Sequence, residues 1–197
     1  MTHCAPDFGY TNRQEYAVST ARTHVTVEEF EKLPRHEGAY HELTQGELIQ
    51  MTPGRLRHNR VRDKIAFSLR QFVEANRLGE IVIETEFQLS PDTVRIPDAA
   101  FVTAEHIQQV DPDRPLTVPP ALVIEVVSST DLAADLLKKV EQYLAAGAFT
   151  VWAIYPNVRE AHIFQKNQQP RVLREPESLT EETLLPGFTI PLATVLG

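Results

Sequence analysis

Little in this chain of 197 residues offers a covalent cross-link: it has one cysteine, Cys4. That excludes an internal disulfide and a cysteine-based zinc site. No long apolar run is present, so no membrane span is expected. The N-terminal stretch MTHCAPDFGYTNRQEY lacks the apolar segment of a signal peptide. Together these absences lead us to expect a cytoplasmic protein. No internal repeat and no low-complexity block occur. Positive charge is in short supply too: 19 Lys and Arg against 27 Asp and Glu give a net charge of −8. This argues mildly against a protein that coats nucleic acid, but leaves room for an enzyme that grips it over a small patch.

What is present reads as alternating helices and strands. Residues 1 to about 24 are polar and aperiodic and are expected to form a loose arm, with residues 25–197 as a single domain. TVEEFEKLP predicts a short helix opened by a capping box, Thr26 with Glu29. YHELTQGELIQM predicts a hairpin turning near Gln45-Gly46. RLRHNRVRDKIAFSLRQFVEANRLG spaces Val61, Ile65, Leu69, Phe72 and Val73 by threes and fours, the pattern of an amphipathic helix, with Gly79 as its stop. EIVIETEFQLS alternates and predicts one half-buried strand; VRIPDAAFV predicts a broken one. ALVIEVV is apolar on both faces, as a central strand is. DLAADLLKKVEQYLAAG is a second helix whose apolar side includes Leu132, Leu136, Val140 and Tyr143, and the apolar strand FTVWAIY follows it. The expected class is α/β, a mixed β-sheet flanked by helices.

Glu125 interrupts the apolar run from Ala121 to Val127. An unpaired buried charge costs several kcal/mol, in round numbers, so something must compensate it. Asp98 follows Pro97 at the preceding strand break. If the two strands pair, their backbones lie roughly 4.8 Å apart and the two carboxylates repel. A divalent cation such as Mg²⁺, which takes one or two carboxylates plus water and phosphate oxygens, removes the conflict. Candidates for a third group are Lys138 and Lys139 on the next helix, His41, Glu42 and Glu47 on the hairpin, and His58 on the long helix.

The blocks RIPDAAFV, ALVIEVVS and DLLKKVEQYLAAGAFTVWAIYP, preceded by YHELTQGELIQMTP and RLRHNRVRDKIAFSLRQFV, resemble in order and spacing the PD-(D/E)XK nuclease superfamily, and within it the Uma-type restriction endonuclease family. The likeness runs from residue 39 to about 190. It implies a restriction endonuclease-like core and a metal-dependent endonuclease acting on DNA, with Mg²⁺ as cofactor, Mn²⁺ as its substitute, and a homodimer as the assembly. By the same resemblance Asp98 and Glu125 are the metal-binding acids. The superfamily's lysine position holds Val127 here, and Lys139 takes over its role, with Asp135 one turn before it. Glu47, or else Glu42, matches the acidic residue near the start of the core. Two positions depart from the family pattern, Ser129 for proline and Tyr155 for aspartate. The basic run Arg55, Arg57, His58, Arg60, Arg62 and Lys64 is a candidate phosphate-tracking face.

Blander readings stand beside these. Asp98 can serve as a turn residue, Glu125 as the partner of Lys139 in a structural salt bridge, and the basic run as a solvated helix face. Trp152 and Tyr155 fit a core strand. Val127 and the acidic balance also suit a nuclease-fold module that binds nucleic acid without cutting it. A hydrolase using Asp98 and Glu125 as acid and base lacks sugar-stacking aromatics near those residues.

Overall fold

The computed structural model describes residues 24–33, 40–129 and 131–197, so the expected N-terminal arm lies outside the described residues, apart from His24. Helix α1, Val27–Glu31, starts where the sequence places it. Thr26 Oγ1 accepts from Glu29 N and the Glu29 carboxylate accepts from Thr26 N. The hairpin is β1, Tyr40–Thr44, and β2, Glu47–Met51. Gln45 and Gly46 both take positive φ, 52° and 78°, as the twist of a two-residue hairpin requires.

Helix α2, Leu56–Asn76, buries Val61, Ile65, Leu69 and Val73 as expected. It stops earlier than expected: Arg77 takes the left-handed capping conformation. Gly79 instead opens the next strand, where a Cβ would sit 2.0 Å from the Val102 carbonyl oxygen.

The largest departure concerns residues 80–90, which alternate like one strand. They form two, β3, Gly79–Ile83, and β4, Phe87–Ser90, in different sheets. The break falls at Glu84, at positive φ, whose N–H reaches the Asp98 carbonyl. The return path crosses back beside it. Strand β5, Thr93–Arg95, belongs to the small sheet and β6, Ala99–Thr103, to the large one, with Ile96, Pro97 and Asp98 between.

After the short α3, Ala104–Ile107, come β7, Leu122–Val126, α4, Ala133–Ala146, and β8, Thr150–Tyr155. The chain ends in β9, Glu160–Gln165, β10, Arg171–Arg174, β11, Ser178–Thr180, β12, Thr189–Pro191, and α5, Leu192–Leu196. The large sheet has the order β10-β9-β8-β7-β6-β3, and the small one β2-β1-β5-β4. Strands β7 and β8, joined by α4, run parallel; β7 pairs β6 antiparallel, so the sheet is mixed as expected.

Strand β7 divides its side chains between two cores. Leu122, Ile124 and Val126 pack with Val61, Ile65 and Leu69 of α2, while Val123 packs with Leu136, Val140 and Tyr143 of α4. Each such aliphatic burial contributes about 1.5–3 kcal/mol. Leu132 does not join the second core: α4 begins one residue later, and Leu132 caps it from outside at 66% exposure.

Candidate active site

Alternation along β7 turns Glu125 toward α4, on the side of Val123. The β6–β7 register sets Ala99 against Ile124, so one residue further Asp98 falls opposite Glu125. Pro97 has no N–H to give a ladder, and the strand breaks there. Asp98 is thereby released to cap its neighbour: its Oδ2 accepts from Val126 N at 2.6 Å, and its Oδ1 lies 3.2 Å from His58 Nε2.

Helix α4 supplies the next layer. Lys139 and Tyr143 are four residues apart and so share one face. Lys139 Nζ donates to Glu42 Oε1 at 3.0 Å and lies 3.9 Å from Glu125 Oε2. Tyr143 Oη donates to Glu125 Oε1 at 2.8 Å. Glu42 reaches in from β1 of the small sheet and is fully buried. It also accepts from Arg95 Nη1 at 2.6 Å and Ile96 N at 3.0 Å, and Arg95 Nε donates to Gln142 Oε1 on α4 at 2.8 Å. The cluster thus fills the junction where the two sheets part, with α4 across it.

Burial pushes the Glu125 carboxyl up to about 7, helped by Asp98 and Glu42 and opposed by Lys139 and the Tyr143 hydroxyl. Burial works to lower Lys139, but Glu125 and Glu42 outweigh it and the amine sits above its ordinary value. The hydrogen bond that His58 donates to Asp98 raises its imidazole against the opposing effect of burial. Tyr143 is raised well above a free phenol by burial and by the two carboxylates, so it stays a donor.

Asp98, Glu125 and Lys139, expected together from the sequence, are brought together. Glu47 is not: it stands exposed on β2 opposite Thr44, and its side chain joins none of the cluster's hydrogen bonds. Glu42 occupies the place instead, because β1 is the strand that packs inward. Asp135 and Lys138 are exposed. The basic run divides by helical angle. Arg55, Arg57, Arg60 and Lys64 are exposed, Arg57 donating to Asn157 Oδ1. His58 and Arg62, four apart, turn inward; Arg62 is held by Asp63 and Glu84 with only 13% of its side chain exposed. The sequence reading missed Arg95, Gln142 and the polar use of Tyr143. A signal existed for Tyr143 in its spacing from Lys139; Arg95 looked like any strand residue.

Among the described residues, no three or more His, Cys, Asp and Glu side chains gather as metal ligands. An all-protein cage, such as structural zinc needs, is therefore not what Asp98 and Glu125 offer. Two carboxylates on neighbouring strands, one pushed toward protonation, do fit a hard divalent cation that completes its shell with water and phosphate oxygens.

The Uma2 family model, described as "Putative restriction endonuclease", matches residues 27–193. The chain belongs to that family. Membership in Uma2 supports a nuclease-type function and agrees with the resemblance read from the sequence, extending it forward to α1. Among solved structures, a "putative nuclease" from Anabaena variabilis shares the fold. It superposes with a TM-score of 0.77 at 19% identity, over 87% of this chain and 97% of that one. A search of curated proteins finds no match. Among the described residues, no helix is long and apolar enough to cross a membrane.

Proposed function

We propose that this Uma2 chain is a metal-dependent endonuclease that hydrolyses DNA phosphodiester bonds. One observation carries the reading: an amine from α4 lies 3.9 Å from a buried carboxylate on β7, and a second carboxylate sits at the break of the neighbouring strand. In this reading Asp98 and Glu125 hold Mg²⁺, with Mn²⁺ as its substitute. Held there, the cation would supply polarisation of the phosphate and a water of lowered pKa. Lys139, fixed by Glu42, orients the attacking water and stabilises charge that develops on the phosphate. His58 steadies Asp98 from its outer side. Arg55, Arg57, Arg60 and Lys64 track the phosphate backbone, which fixes position and not sequence. A cytoplasmic homodimer would bring two such sites to the two strands of a duplex.

The test is cleavage of plasmid and of single-stranded DNA with Mn²⁺, with Asp98→Ala as the control for contaminating nuclease. Cutting by wild type and none by the variant is expected. Metal-independent DNA binding with no cutting by either would replace this reading with that of a nuclease-fold binding module.

A further inference from the structure

Tyr143 lies in the same family block as Lys139, but the resemblance gives it no role. It is fully buried, and it is the one donor within hydrogen-bond distance of the Glu125 side chain among the described residues. Lys139, the nearest cation, gives its short hydrogen bond to Glu42 and stays 3.9 Å from Glu125. The crossover from β7 to the parallel β8 puts the start of α4 at the end of the sheet where Asp98 and Glu125 lie. Lys139 is therefore nearer the open end, and Tyr143 lies one turn deeper, about 6 Å along the axis. Glu125 is gripped by one oxygen only: Oε1 points down to the hydroxyl, and Oε2 is the oxygen on the side of Lys139. A free carboxyl group on a strand would swivel about its last torsion, which is broad and two-fold. A fixed donor on Oε1 removes that freedom.

We infer that Tyr143 is a positioning residue, locking the Glu125 carboxylate so that Oε2 is presented to a divalent cation. The inference rests on the metal-binding reading above. Partners that orient a ligating group typically control metal affinity by 10–100-fold. A tyrosine that merely finds an acceptor for its own buried hydroxyl would not.

The experiment is calorimetric titration of Mn²⁺ alone into the full chain as wild type, Tyr143→Phe and Val140→Ala. Val140 is buried on the same helix face without a polar contact and controls for loosened packing. We expect Tyr143→Phe to bind Mn²⁺ about 10–100-fold more weakly, and Val140→Ala to stay within about threefold of wild type. Equal affinity in wild type and Tyr143→Phe overturns the inference and leaves the nuclease reading standing. Absence of Mn²⁺ binding by wild type overturns both. A second measurement needs no loss of the hydroxyl. With 3-fluorotyrosine placed at position 143, the fluorine resonance should move with Mg²⁺ at the midpoint that a matching calorimetric titration of Mg²⁺ gives. A resonance that stays still while Mg²⁺ binds counts against the inference as well.

Discussion

Glu125→Gln should make the metal-free protein more stable. The change keeps shape and an oxygen for the Tyr143 hydroxyl, and it leaves Lys139 paired with Glu42. What it removes is a charge that burial opposes. Moving a carboxyl from 4.5 to about 7 disfavours its ionised form by roughly 3 kcal/mol, at about 1.4 kcal/mol per tenfold. Between those values the folded protein holds a proton that the unfolded chain has released. The contribution of Glu125 is therefore fullest below 4.5 and is lost as pH rises through about 7. Urea unfolding at about pH 8 should show the variant ahead by roughly 3 kcal/mol, and near pH 4 the two should converge. Taking the difference between the proteins cancels His58, which titrates in the same direction. Saturating Mg²⁺ should reverse the order. At a thousand times its dissociation constant it adds about 4.1 kcal/mol to wild type and nothing to a variant that cannot hold it. A variant less stable than wild type at pH 8 without metal, or a stability difference independent of pH, would refute this account of the site.

Lys139→Ala should lower cleavage by about 10²–10³-fold, as loss of one aimed donor does, while Mn²⁺ affinity by calorimetry stays within about tenfold. Glu42→Gln strands Arg95 without its counter-charge and leaves Lys139 only the more distant Glu125, and urea unfolding should show a loss of about 3–5 kcal/mol. Replacing Arg57, Arg60 and Lys64 by alanine should flatten the salt dependence of metal-free DNA binding, by about 0.9 in log–log slope per contact removed. Arg62→Ala, whose side chain is already engaged, should leave that slope unchanged.

How far the sequence could be read depended on whether the cause was local. The capping box at Thr26, the turn at Gln45-Gly46 and the periodicity of α2 and α4 are set by neighbours along the chain, and each appears where expected. Glu125 was legible because a carboxylate in a run of aliphatics conflicts with its own surroundings. The split of residues 80–90 was not. Glu84 and Thr85 carry no turn chemistry, and the break exists because two separate sheets must both be continued by one segment. Gly79 misled for a related reason: its glycine answers to Val102 across the sheet and not to the helix before it. The choice between Glu42 and Glu47 turned on which hairpin strand packs inward. Both residues occupy one face of the hairpin, and only the contact of β1 with β5, which is remote in sequence, decides between them.

The charges at the junction explain why so many ionisable groups can share it. Three carboxylates, Glu42, Asp98 and Glu125, face two permanent cations, Arg95 and Lys139. With His58 neutral the set carries one excess negative charge, which a single proton cancels, and Glu125 at about 7 is the group best placed to take it. On the proposed metal-dependent reading, a divalent cation in the proton's place would turn the excess to one positive charge, the complement of a single phosphodiester. Arg95 and Lys139 thus do more than offset Glu42. They hold the unprotonated site one negative charge from neutrality and, on the proposed reading, would leave the cation-bound site one positive charge from it, so that cation and phosphate would each bind where the other's charge is needed.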